Sequence, residues 1–269
     1  MSPQVSVVMT SYNHEKYLQQ AIQSVVNQSY TDFELIIVDD CSNDNSREII
    51  NKNEDQYNFI KSIYHETNRG VAKTINDGRY QAKGDYIAHI ASDDVWTTKK
   101  LERQMMILDE KPNTLVWSDG AIIDSNGISS GKTFIEKHSA VDRKKSGNVF
   151  SELLKGNMIF GSSCIYNSDI VGRIDYDESL RYLNDFKYWL QLAEIYNFVF
   201  IPSCLAKYRL HNNNSSLTRD FEKRNAKENL RIYRDLLADH TLTIKQKIYI
   251  YYKIVEIISS RGKRIFWNI

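Results

Sequence analysis

Apolar residues in the first ninety positions follow two alternating rhythms. Val5-Ser-Val-Val-Met9 is a short β-branched run, whereas Tyr17, Leu18, Ala21, Ile22, Val25 and Val26 recur at helical spacing between His14 and Asn27. After a turn around Tyr30 to Asp32, the run from Phe33 to Val38 predicts a strand buried on both faces. It stops in a polar cluster, Asp39 to Ser46, and a helix is expected from Arg47 into the early fifties. Ile60 to His65 predicts a third strand; Asn68-Arg-Gly70, a helical stretch to about Ala82 and an apolar run up to Ile90 follow. Strands alternating with helices predict an α/β fold whose sheet is doubly wound through parallel crossovers. Ligands of such sheets sit beyond the carboxyl ends of the strands, where Asp39, Asp40, Asn68, Asp93 and Asp94 all fall.

The later pattern is less regular. Leu115 to Ile123 predicts a strand, and the Gly-, Ser- and Lys-rich stretch from Asp124 to Gly147 predicts a long loop or lid. Ser163 to Tyr166 and Phe198 to Leu205 predict short strands flanking a helix from about Asp185 to Ile195. From Phe221 onward the spacing is helical, which divides the chain near Leu217 into a domain of residues 1–217 and a C-terminal helical extension, 218–269.

Composition narrows the function classes. With 35 Lys and Arg against 34 Asp and Glu, the net charge of +1 gives no whole-chain reason to expect nucleic acid as a partner. Cys41, Cys164 and Cys204 are scattered and form no CxxC pair, which favours a reducing, cytoplasmic compartment over a disulfide framework or a thiolate metal site. No signal-peptide pattern precedes the first strand, and no run approaches the roughly 20 apolar residues that span a bilayer, so any membrane contact is expected to be peripheral. One segment raises that question directly. Ile244, Ile248, Tyr251, Tyr252, Val255 and Ile258 recur at helical spacing among Lys245, Lys247, Lys253, Arg261, Lys263 and Arg264, with Phe266-Trp267 beyond. Such a helix rests on an anionic membrane, or packs its stripe on the catalytic domain or on a second subunit to form a homo-oligomer; packing is the more common outcome.

The candidate chemistry is acidic. Asp93 and Asp94 directly follow a strand, and paired carboxylates there suit a hard cation such as Mn²⁺ or Mg²⁺ shared with a diphosphate. The structural alternative is that Asp94 caps a helix starting near Thr97. Asp39 and Asp40 suit hydrogen bonds to a base or ribose, or simply close a turn. No glycine-rich dinucleotide or phosphate loop follows the first strand, and neither a His-Glu-x-x-His site nor a Gly-x-Ser-x-Gly elbow is present.

Taken in order, Val5 to Asn13, Val38-Asp-Asp-Cys-Ser-Asn-Asp44, Asn68-Arg-Gly70, Lys83-Gly-Asp-Tyr-Ile87 and Ser92-Asp-Asp94 resemble family 2 glycosyltransferases of the GT-A fold. The resemblance implies that Thr10, Tyr12, Asp39 and Asp40 line the base and ribose, with Asn68 and Gly70 close by. It implies a donor site that also takes in Ser92, Asp93 and Arg209, and a metal held by Asp93, Asp94 and His211. Ala91 stands where many members carry the first acid of an Asp-x-Asp motif. Leu183 to Trp189 resembles the family's acidic pair before an aromatic helix, which makes Asp185 the catalytic base and puts Asn184 in place of the first acid; the structural alternative is an acid in the first helical turn. Tyr208 to Ser215 resembles the Tyr-Arg-x-His segment that follows the last core strand, with Arg209 or Lys207 offsetting phosphate charge.

The expected protein is therefore an inverting hexosyltransferase. It would move a sugar from a nucleoside-diphosphate sugar, UDP being the first choice, to a saccharide or lipid-linked oligosaccharide acceptor in polysaccharide or glycan biosynthesis. A nucleotidyltransferase and a non-catalytic sugar-nucleotide-binding subunit are the alternatives, distinguished by pyrophosphate release and by binding without turnover.

Overall fold

The computed structural model describes residues 2–212, 214, 221–238 and 242–266, with 221–223 and 260–266 described by backbone alone. In the first part, β1 (Val5–Ser11), α1 (Glu15–Val26), β2 (Phe33–Asp39), α2 (Ser46–Gln56), β3 (Ile60–Tyr64), α3 (Val71–Tyr80) and β4 (Tyr86–Ala91) alternate as the hydrophobic pattern predicts. Then come β5 (Val95–Trp96), α4 (Lys100–Glu110), β6 (Thr114–Ile123), β7 (Ser129–Thr133), α5 (Phe134–Lys137), α6 (Phe150–Leu153), β8 (Ile165–Asn167), α7 (Asn184–Ile195), β9 (Asn197–Arg209), α8 (Phe221–Leu237) and α9 (Ile244–Phe266).

The strands form one sheet in the order β3-β2-β1-β4-β8-β6-β9-β5, with β7 paired to β6. β1 to β4 are mutually parallel. β8 lies antiparallel between β4 and β6, so the sheet is mixed, and the parallel half ends where β4 delivers Asp93. Alternation sorts side chains to two cores. Val5, Val7 and Met9 pack with Leu18 and Ile22 of α1, Ile50 of α2 and Leu101 and Met105 of α4. Val8 points the other way, into a core shared by Ala72 of α3, Leu153 of α6, Phe186 and Trp189 of α7, Ile232 and Tyr233 of α8 and Ile250 of α9.

Three expectations change. Residues 124–147 are not a plain loop: β7 pairs back on β6 through Ala121↔Thr133 and Ile123↔Ser129, and Thr133 and Glu136 form a capping box on α5. These are backbone and capping features, and the exposed β7 leaves no hydrophobic period to read. β9 extends past the expected Leu205 to Arg209, because its pairing with β6 passes through register shifts around Asp119. The helix expected near Thr97 starts at Lys100, after β5, so Asp94 does not cap it.

The C-terminal stripe also behaves differently. Ile250, with Tyr249, Ile254 and Ile257, packs against the core, whereas Ile244, Ile248, Tyr251, Tyr252, Val255 and Ile258 are 51–77% exposed. α9 therefore has two apolar faces, and the stripe anticipated to pack is the outer one. Among the described residues no helix is long and apolar enough to cross a membrane. The boundary at Leu217, Trp267, and the side chains of Arg261, Lys263, Arg264 and Phe266 lie outside the described residues.

Candidate active site

Register brings the carboxyl ends of β1, β2, β3 and β4 to one edge. Ser11 lies beside Asp39, Asp39 beside Tyr64, and Thr10 beside Ala91. The chain then turns out of the sheet through two non-glycine residues with positive φ, Asn13 at 52° and Cys41 at 65°. The two turns lace together. Asn13 N donates to Ser42 Oγ at 2.9 Å, Asn43 N donates to Asn13 Oδ1 at 2.8 Å, and Glu15 N donates to Asp44 Oδ2 at 2.9 Å. α1 has no cap from its own His14, so its first amides are satisfied by Asp44 and by Ser46 from the neighbouring loop. Thr10 is half-buried and Tyr12 exposed at this edge.

Asp39 and Asp40 tie the loops at the carboxyl end of β2 into a wall. Asp39 accepts from Ser42 N at 2.9 Å and Ser42 Oγ at 2.5 Å and pairs with Arg47 at 2.9 Å. Asp40 accepts from Arg69 N at 2.7 Å, Gly70 N at 2.8 Å and, at 2.8 Å, faces His65 Nδ1. Turn chemistry, the structural alternative, thus accounts for the bonds of Asp39 to Ser42, whereas Asp40 reaches across to His65 and to the amides that lead into α3. Asn68 Nδ2 reaches Asp40 O at 3.4 Å, and Gly70 opens α3 with φ 85°, a conformation that disfavours any side chain.

Beside this wall lies a group of metal-ligand type. One ligand atom each from His14, Asp93 and His211 falls within 4.8 Å of the others. His211 Nε2 is 2.9 Å from Asp93 Oδ2, and His14 Nδ1 is 2.8 Å from Ser92 Oγ. Burial pushes the Asp93 carboxyl up, but the hydrogen bond with His211 and the charges of His14 and His211 bring it below its ordinary value. Asp94, by contrast, is driven well above the carboxylate range by burial and then by Asp93. Its oxygens accept from Ser162 Oγ at 2.6 Å and Arg209 N at 3.1 Å. Of the expected ligands, Asp93 and His211 come together; Asp94 stands outside the group, and His14, unmarked in the sequence reading, takes the third place. Two imidazoles and a carboxylate fit Mn²⁺ better than Mg²⁺, which favours oxygen alone.

Arg209 is spoken for. Its guanidinium donates to Asp93 O at 2.8 Å, Asp124 O at 3.1 Å and Gln20 Oε1 at 2.6 Å, it lies 4.9 Å from the Tyr17 ring centroid, and it is 1% exposed. These contacts tie the Asp93 backbone to Gln20 of α1 and to Asp124 after β6, which gives the guanidinium a scaffolding part at the site.

Asp185 sits in the first turn of α7. Phe186 N donates to its Oδ1 at 2.6 Å and Asn157 Nδ2 to its Oδ2 at 2.9 Å. The Asn157 amide is oriented by Ile159 N, which donates to Asn157 Oδ1 at 2.9 Å. Burial raises the Asp185 carboxyl to about 6. Asn184 is buried, with its amide directed at Leu180 O. The Asp185 and Asp94 partners, Asn157 and Ser162, are neighbours in sequence. Five residues of chain span at most roughly 17 Å, so both carboxylates border one short segment.

A wall of acid-fixed loops, a cation-type group and a buried carboxylate raised to about 6 lie together as candidate site parts on a mixed α/β sheet. Residues 6–174 match the sequence model of Glycosyl transferase family 2. The chain is 30% identical over 239 residues to TuaG of Bacillus subtilis (strain 168), named as a teichuronic acid biosynthesis glycosyltransferase, covering 88% of this chain and 90% of that protein. An uncharacterised glycosyltransferase of Methanocaldococcus jannaschii is 34% identical over 221 residues, 81% of this chain and 74% of its own length. Among solved structures, S. aureus TarS 1-349 in complex with UDP superposes with a TM-score of 0.71 at 19% identity, covering 95% of this chain and 71% of that one. The mannosyltransferase PcManGT of Pyrobaculum calidifontis, in complex with GDP-Man and Mn²⁺, gives 0.69 at 14% identity, covering 94% and 70%. The fold is GT-A, and the chain belongs to glycosyltransferase family 2.

Proposed function

We propose that this enzyme transfers a sugar from a nucleoside-diphosphate donor to an acceptor hydroxyl with inversion, using Asp185 as the base. The observation that carries the reading is a buried carboxylate raised to about 6 and held by Asn157. At neutral pH it is ionised yet basic enough to take a proton during attack. As the acceptor oxygen bonds to the anomeric carbon, its proton passes to Asp185, the bond to the diphosphate oxygen breaks with its electron pair, and the nucleoside diphosphate departs. His14, Asp93 and His211 would hold a divalent cation; when bound, it offsets charge on the leaving diphosphate. Thr10, Tyr12 and the loops fixed by Asp39, Asp40, Asn68 and Gly70 would receive the nucleoside.

UDP is the expected nucleotide, supported by the UDP complex of TarS, and a polysaccharide or lipid-linked acceptor is supported by the name of TuaG. The outer face of α9 suits a peripheral contact with the membrane that carries such an acceptor. Its residues 244–266 include Lys245, Lys247, Lys253, Arg261, Lys263 and Arg264 against Glu256 alone, a charge complementary to anionic lipid.

The test is nucleoside diphosphate release from a panel of UDP- and GDP-sugars with Mn²⁺ and candidate saccharide acceptors. Asp185→Asn is expected to lower kcat about 10²- to 10⁴-fold and Asp93→Ala to abolish Mn²⁺ stimulation. Undiminished turnover in both variants overturns the assignment, and nucleotide binding without any turnover in the wild type favours a binding subunit.

A further inference from the structure

α7 begins without a side-chain cap of its own: its N-cap is Leu183, and the amides leading into it need an acceptor from elsewhere. They find it on α8. Glu228 Oε1 accepts from Arg181 N at 2.9 Å, and Oε2 accepts from both Tyr182 N and Leu183 N at 2.9 Å. One carboxylate thus gathers three consecutive amides immediately before Asn184 and Asp185. Hydrogen bonds to an ionised acceptor are the stronger kind, and the negative charge also lies at the positive end of the helix dipole.

α8 grips its surroundings three times more. Arg231 donates to Ser179 Oγ at 2.7 Å, and Asp177 pairs with Lys187 of α7 at 2.8 Å, while Lys187 also lies 3.6 Å from Asp235 of α8. Tyr233 donates its hydroxyl to Leu154 O at 3.0 Å, three residues before the Asn157 that holds Asp185. Both supports of the base, the first turn of α7 and the segment carrying Asn157, are therefore tied to α8.

We infer that Glu228 is a positioning residue for catalysis: by holding the amides that enter α7, it sets the placement of Asp185 against the acceptor. The inference rests on the assignment of Asp185 as base. A displacement of about 1 Å of a catalytic group is enough to cost on the order of 10²-fold in rate. Loss of this carboxylate therefore acts on kcat and spares the donor side, which is built on the ends of β1 to β4 and on His211 after β9.

The experiment uses the full chain with the UDP-sugar and acceptor that the wild type turns over. Glu228→Ala is expected to lower kcat roughly 10- to 100-fold, with the donor KM and the calorimetric affinity for UDP unchanged. Glu228→Gln, which keeps one acceptor oxygen, recovers part of the rate and serves where the alanine variant fails to fold. In an Asp185→Asn background Glu228→Ala costs nothing further, because the group it positions is already gone. Wild-type kcat in Glu228→Ala, or the same fold-loss in both backgrounds, overturns the inference. The base assignment fails separately, if Asp185→Asn retains full turnover.

Discussion

His14 stands where the end of β1, the first turn of α1 and Asp93 meet, which is why a single imidazole matters here. It supplies a third donor to the group with Asp93 and His211. His14→Gln is expected to weaken Mn²⁺ binding at least about ten-fold in calorimetry with UDP present, leaving UDP affinity without metal unchanged. The rule that gathered Asp39 and Asp93 at strand ends applies equally to the residue after Asn13, so its position was the available signal. A lone histidine carries no motif, and only the fold shows that His211, nearly two hundred residues on, comes to it. Arg209 drew notice through its charge, and the fold adds what the sequence could not show, three protein acceptors that make it a brace for Asp93. Asp185 was legible from its place before an aromatic helix, but its environment was not, since the raised value depends on burial. That value fixes a pH dependence. Turnover is expected to fall as pH drops through about 6, where the base takes a proton. The folded value exceeds the ordinary 3.8, so stability from this group is full below 3.8 and is lost as pH rises to about 6. Asp185→Asn should therefore melt higher, relative to wild type, at pH 7.5 than at pH 4.

Among the elements, α4 holds the least expected group. Lys100 is fully buried, donates to Gln104 Oε1 at 2.8 Å and lies 3.8 Å over the Trp96 ring. Burial brings its ammonium down to about 7 from the ordinary 10.5. Between those values the unfolded chain binds more protons than the folded one, so stability rises with pH across this window. Lys100→Met, which keeps the bulk and removes the charge, should gain stability over wild type most at pH 6.5 and less at pH 9.5, as read by urea melts. Elements with one buried face or a β-branched run, from β1 to β4, were readable from their periods. β7 was not, because Ser129–Thr133 pairs through backbone and the Ser130 hydroxyl, and leaves its side chains largely in solvent. The reach of β9 was hidden for another reason: its irregular pairing around Asp119 is decided by β6, which no local pattern reports.

Taken whole, the molecule joins a parallel half, β1 to β4, to a second half through the antiparallel β4 and β8 pairing, and α8 and α9 close over the second half. The outer face of α9 predicts association with vesicles of anionic phospholipid in flotation, lost when Ile248 and Val255 are both replaced by Ser, and absent with neutral vesicles. Association of the wild type with neither vesicle type counts against the peripheral contact. The fold class was legible because two periodicities and an ordered series of acids agree. The closing arrangement of α8 was not, since Glu228 is one of three acids on a polar helix until α7 is placed beneath it.

Glu228 follows the last amide it accepts from by 45 residues. A ribosome making this chain therefore releases β1 to β4 first and the carboxylate that gathers the α7 amides only after β9. During that interval the three amides that enter α7 lack the carboxylate that gathers them, so the first turn of α7 takes its final setting only when this late helix arrives.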